Sequence, residues 1–178
     1  MPLVLSGDGI TSANITSLAA SKLTGQVPDA NAPSGSVIQV VNGFTSTNVT
    51  TTSVETWVDT GITATITPQF STSNILVLIN PIGMQKDSGT HWNRMAFRLM
   101  RNSTTLHSGA AQLWSYNTDF YFRSAGAFYS KLDSPGSTSA LTYKMQFLAE
   151  NLSNGNGVSI QKDSNSGESQ IFLMEIAA

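Results

Sequence analysis

Residues 57–68 read WVDTGITATITP, and their side chains alternate. Ile62, Ala64 and Ile66 fall on one side, Thr63, Thr65 and Thr67 on the other. A period of two over this length describes a half-buried β-strand, and Pro68, which has no N–H to give to a ladder, ends it. The periodicity constrains the fold because it persists: from residue 36 onward no window of ten or more residues carries the 3.6-residue period of a helix.

Further strands follow the same pattern. VIQVV (37–41) is the first strand-like run. NILVLINPIG (74–83) is a continuous apolar run closed by Pro81 and Gly83, which predicts a central strand covered on both faces. In MAFRLMRN (95–102), Met95, Phe97 and Leu99 share one face and Ala96, Arg98 and Met100 the other, and Asn102-Ser103 begins a turn into TTLHSG. AQLWSY (111–116) and DFYFRS (119–124) read as two short aromatic strands around Asn117-Thr118, followed by GAFYSKL (126–132). TYKMQFLAEN (142–151) sets Tyr143, Met145, Phe147 and Ala149 against Lys144, Gln146, Leu148 and Glu150. NGNG (154–157) is a turn, GVSIQKD (157–163) a short strand, and SQIFLMEIAA (169–178) closes the chain. Eight or so short strands separated by turn signals predict an all-β fold, an antiparallel, jelly-roll-like β-sandwich; an up-and-down barrel would space them more evenly.

The last strand has two apolar faces. Phe172, Met174 and Ile176 lie on one, Ile171 and Leu173 with Glu175 on the other. One face belongs to the core. The second needs a cover of its own, and with no helix to spare that cover is a loop or a neighbouring subunit.

Composition narrows the function classes. Charged residues make up 11% of the chain, well under the roughly 25% of an average soluble domain. Serine and threonine supply about a quarter, suiting a β-rich surface built on hydroxyls. The net charge is −2 and the nine basic residues are scattered singly, so no stripe exists to neutralise a phosphate backbone and nucleic-acid binding is not expected. The absence of cysteine removes disulfides, thiol catalysis and cysteine zinc sites. MPLVLSGDG lacks the basic lead and apolar stretch of a signal peptide, and no run approaches a membrane span, so no membrane insertion is expected.

Residues 1–35 form a prefix of another kind. Its aliphatic residues include Leu3, Leu5, Ile10, Ile15, Leu18, Leu23 and Val27, at gaps matching neither a heptad nor a strand. SANITSLAASKL (12–23) has the makings of a short helix capped by Ser12 or Asn14, marginal by itself. Large aliphatics at every few residues are not the composition of a solubilising tail. They predict an anchor, ordered where three chains or a larger assembly cover it. The expected division is thus an extended attachment and trimerisation segment, 1–35, and a sandwich head, 36–178.

The junction LTGQVPDANAPSGSVIQVV (23–41) resembles the shaft-to-head junction of tailed-bacteriophage fibre and appendage proteins. WVDTGITATITP, NILVLI, FRLMRNSTTL (97–106) and LMEI (173–176) are similar to elements of the same group of small phage structural proteins. The resemblance spans most of the chain through strand-and-turn patterns. It implies a homotrimeric virion protein, assembled in the host bacterial cytoplasm, with an N-terminal attachment segment, a β-sandwich head and other virion structural proteins as partners. It carries over no catalytic residue, and the chain departs from long fibres in having almost no repeated shaft.

The residues that bear chemistry fit this expectation. His91 and His107, each read in or beside a turn, do not make a metal pair, and no metal or other cofactor is expected. The eleven carboxylates are dispersed, and SGDG and NGNG lack the lysine and strand–helix context of a phosphate loop. No enzymatic activity is predicted. Trp114, Tyr116, Asn117, Asp119 and Tyr121 combine aromatic faces with amides and a carboxylate, the combination that stacks on a sugar ring and orients its hydroxyls; they are the candidate contacts for a host cell-surface glycan or receptor. The expectation is a short tail fibre, with a capsid decoration or head-fibre protein and a lectin-like glycan-binding module as alternatives.

Overall fold

The computed structural model describes residues 29–86, 93–115, 122–124, 128–151, 157–162 and 167–178. The chain divides into two compact units, Met1–Ala32 and Pro33–Ala178. Of the first, one 3₁₀ turn is described, Asp29–Asn31. The prefix residues Leu3, Leu5, Ile10, Ile15, Leu18, Leu23 and Val27, and the helix expected over 12–23, lie outside the described residues.

The second unit is built of strands: β1 (Val37–Thr45), β2 (Val49–Thr51), β3 (Val58–Ile66), β4 (Asn74–Asn80), β5 (Met84–Lys86), β6 (Asn93–Arg101), β7 (Thr104–Ser115), β8 (Phe122–Ser124), β9 (Tyr129–Asp133), β10 (Leu141–Asn151), β11 (Val158–Ile160) and β12 (Ser169–Ile176). They form three antiparallel sheets, β1-β12-β4-β9, β3-β10-β6-β7 and β2-β11-β5-β8. The third repeats the order of the first because each of its members is the sequence neighbour of its counterpart. With each interrupted strand counted once, eight strands run in the orders 1-8-3-6 and 2-7-4-5, the two interlocked Greek keys of a jelly roll.

The interruptions have local causes. Pro81 cannot donate to a ladder and stops β4. Beyond it, Ile82 N–H donates to the Ser169 hydroxyl at 2.8 Å, while the N–H groups of Gln161 and Lys162 donate to Ile82 O (3.2 Å) and Gly83 O (3.1 Å). Asn48 Nδ2 donates to Lys162 O at 3.1 Å, so the breaks after β1, β4 and β11 are tied together.

The core follows from the alternation. Ile62, Ala64 and Ile66 of β3 are buried between exposed Thr63 and Thr65. Met145, Phe147 and Ala149 of β10 pair in register with Leu99, Phe97 and Met95 of β6, and all six, with Tyr143, are likewise buried. Ile75, Val77 and Ile79 of β4, with Ile171 and Leu173 of β12, close the core from the opposite sheet. Two expectations are corrected. Strand β4 is interior to its sheet, but only one of its faces is buried. And His107, read in or beside a turn, is in mid-strand: the turn expected at Asn102-Ser103 is there, with Asn102 at φ 51°, but β7 runs unbroken from Thr104.

Two polar clusters join the layers. The Asp133 carboxylate of β9 accepts from Arg101 Nη1 and from the Tyr143 hydroxyl, both at 2.7 Å, linking the last strand of one sheet to two strands of the other. Burial, and then the Asp133 carboxylate, push the Tyr143 phenol well above its ordinary value. At the same end of the sandwich, Glu175 of β12 is fully buried. It accepts from Gln39 Nε2 at 2.6 Å, from Gln69 N–H at 2.9–3.0 Å and from Phe70 N–H at 3.1 Å. Burial opposes its charge, but these donors outweigh it and hold its carboxyl below the usual range.

Candidate assembly surface

Because successive side chains point to opposite faces, the inward rows of the β1-β12-β4-β9 sheet define the outward ones. Register carries one outward row across all four strands: Val40 opposite Met174, Met174 opposite Leu76, Leu76 opposite Leu132. The next runs Asn42, Phe172, Leu78, Ser130, and a third Phe44, Gln170, Asn80. Ile176 and Asn74 complete the face. Of these thirteen outward positions eight are apolar and none is charged. Phe44 is 64% exposed, Leu132 56% and Val40 54%, with Phe128, just ahead of β9, at 71%. Phe128 also walls a groove of about 450 Å³ floored by Leu78, Phe172 and Met174 and edged by Asn80 and Gln170.

The other face of the sandwich is chemically different. On β3, β6 and β10 the outward residues form one connected network. Arg98 lies 4.5 Å over the Trp57 ring and donates from Nε to Gln146 Oε1 at 2.7 Å. Gln146 Nε2 donates to Asp59, which also holds Lys144 Nζ at 2.9–3.0 Å. Partial burial works against the Asp59 charge, but the Lys144 and Gln146 hydrogen bonds prevail and set its carboxyl below the ordinary value. The apolar outward residues of this sheet, Ala96, Met100 and Leu148, are buried. One sheet therefore carries a polar, charged network on its outer face, while on the other no described segment covers the apolar face.

The residues singled out in the sequence fare unequally. Trp114 falls in β7, where its side chain lies outside the described residues; Tyr116, Asn117, Asp119 and Tyr121 lie outside them altogether, as does His91. His107 is exposed and stacks at 5.4 Å, tilted, on Tyr129, whose phenol burial pushes upward. The two rings border an apolar cavity of about 80 Å³ between the sheets, shared with Phe97, Leu99 and Met145. Among the described residues no cluster of His, Asp and Glu is arranged to hold a metal ion. The second apolar face of the last strand, Phe172, Met174 and Ile176, is where the sequence placed it, and no described segment covers it. Sequence reasoning missed that β1, β4 and β9 extend it into a continuous surface, because that depends on register between strands far apart in the chain.

No family model matches the chain, and no curated protein matches it. Among solved structures it is similar to the D431N mutant VP2 protein of infectious bursal disease virus, in derived T=1 particles, with 10% identity and a TM-score of 0.39. The match covers 88% of this chain and 40% of that one, so the chain spans well under half the length of this structural neighbour.

Proposed function

We propose that the protein is a structural component of a tailed-bacteriophage virion: a short homotrimeric tail fibre whose N-terminal segment docks to the particle and whose jelly-roll head faces outward. The observation that carries this reading is the uncharged, largely apolar outer face of the β1-β12-β4-β9 sheet. A head that displays such a surface is built to be covered by protein, as a subunit of an assembly is. The fibre-like junction at 23–41 supplies the kind of assembly, and the reading assigns the protein no catalytic activity. Host contact falls to Trp114 and the 116–121 segment, and loss of binding to host envelope in Trp114→Ala and Tyr116→Ala tests that assignment separately.

The test is localisation on particles. Antibody against the head, applied to purified virions of the phage that encodes the chain, is expected to give immunogold label at the tail. Label on the capsid moves the same protein to a decoration role. Particles that lack the protein by mass spectrometry overturn the proposal.

A further inference from the structure

We infer that the outer face of the β1-β12-β4-β9 sheet is where copies of this chain bind one another. The inference rests on the proposed virion role only for the number of copies; the face itself is read from its geometry.

The first argument is chemical. Around a symmetry axis, identical faces bring each charge close to its own copy, so a surface that meets itself is best built without charge. A surface for a different protein gains speed and specificity from complementary charge. None of the outward positions on this sheet is charged, a condition that favours self-contact and that the chain's low charge content makes easy to meet, while Asp59, Arg98 and Lys144 gather on the opposite sheet.

The second argument is size. At 64% and 71% exposure, Phe44 and Phe128 present roughly 130–150 Å² each. The aliphatic rows bring the apolar patch to roughly 600 Å², the upper end of what a monomer leaves open and close to the ~800 Å² that each partner gives to a standard interface.

The third is relief. Phe44 projects from β1, opposite Gln170 of β12, and the groove beside Phe128 opens on the other side of Gln170, over β4. A projecting ring and a hollow that are offset on one face let the ring of one copy enter the hollow of the next. A heterologous contact of that kind makes a ring of copies where its rotation closes.

The chain contains no cysteine, so one introduced thiol reports cleanly on its surroundings. In the full-length chain, Val40→Cys samples the face and Ser108→Cys samples exposed β7 on the opposite sheet. Native mass is read by light scattering alongside maleimide labelling rates. The expected result is a multimer, of three chains on the proposed reading, in which Val40→Cys labels roughly tenfold more slowly than Ser108→Cys. In the same experiment Leu76→Asp is expected to raise Val40→Cys labelling to the Ser108→Cys rate, with the β-sheet circular dichroism retained and whether or not residues 1–35 still join the chains. If Leu76→Asp loses that signal, the labelling rates decide alone. A multimer in which the two thiols label equally fast overturns the inference and leaves the virion role standing. A single chain at every concentration overturns it too, and immunogold then tests the virion role independently.

Discussion

Removing the Glu175 carboxylate tests whether one buried charge holds the end of the sandwich together. Its partners are uncharged: the Gln39 amide at 2.6 Å and the N–H groups of Gln69 and Phe70 at 2.9–3.1 Å, from the connection between β3 and β4. Each hydrogen bond to a charged group contributes ~1.5–3 kcal/mol, against a desolvation cost of several kcal/mol for the ion. The net worth of the arrangement is therefore modest, but deleting the acceptor leaves three donors without it. At ~1–3 kcal/mol for each donor stranded from water, Glu175→Ala is expected to cost about 3–5 kcal/mol, a large part of a domain's usual stability. Glu175→Gln keeps one acceptor oxygen and places an amide N–H₂ toward another donor, for about 1–2 kcal/mol. Urea unfolding followed by tryptophan fluorescence, at one protein concentration, measures both. The pH dependence has a definite sign. The folded carboxyl titrates below its unfolded value of 4.5, so its stabilisation is fully present above that value and fades as pH falls through the depressed folded value. The gap between the native chain and Glu175→Gln should accordingly be constant from pH 7 to about 5 and shrink below about 4.5. A Glu175→Gln variant as stable as the native chain at pH 7, or a gap that ignores pH, refutes the reasoning.

Three further outcomes are expected. Arg101→Ala leaves Asp133 with the Tyr143 hydroxyl alone and should cost about 2–4 kcal/mol in urea unfolding, while Tyr143→Phe should cost about 1 kcal/mol. Because Tyr143 is buried and its phenol is raised well above its ordinary value, the phenolate absorbance that grows in the native protein between about pH 9 and 11 should be the same in Tyr143→Phe. Gly43→Ala drives a Cβ well inside contact distance of the Thr63 carbonyl oxygen, a backbone atom that cannot swing aside, and should cost about 3 kcal/mol or more. Gly136→Ala meets nothing within 4 Å and pays only for its φ of +62°, about 1–2 kcal/mol; equal melting temperatures for the two glycine variants would contradict this assignment.

The legible parts of the fold were those where one strand carries its own evidence. The alternation of Ile62, Ala64 and Ile66 needs no partner to be read, nor does that of Tyr143, Met145, Phe147 and Ala149. Strands β2, β5, β8 and β11 have three residues each, too few for any period to register. The turn on Asn102, a residue that tolerates positive φ, was legible, but the strand through His107 was not, because TTLHSG holds one large apolar residue, Leu106, and no alternation to read. Glu175 gave no local signal either: its partners lie 105 to 136 residues away, and only the strand order that sets β12 between β1 and β4 brings them together.

The run NILVLIN was ambiguous for a different reason. A strand apolar on both faces is buried on both when helices or sheets cover it, but it looks the same in sequence when the second cover is another molecule. Absence of charge does not separate the cases in this chain: at 11% charged residues, thirteen positions taken at random would hold only about one charge. What separates them is the fate of outward apolar residues on the two sheets. Ala96, Met100 and Leu148, on the outer side of β6 and β10, are each under a tenth exposed, whereas Val40, Phe44 and Leu132 are all more than half exposed. The outward apolar residues of β6 and β10 are buried, whereas on the other sheet those of the central strands β4 and β12 are half-buried and those of the edge strands β1 and β9 are exposed. That asymmetry comes from register and packing rather than composition, and it sets the outer face of the β1-β12-β4-β9 sheet apart from that of the β3-β10-β6-β7 sheet.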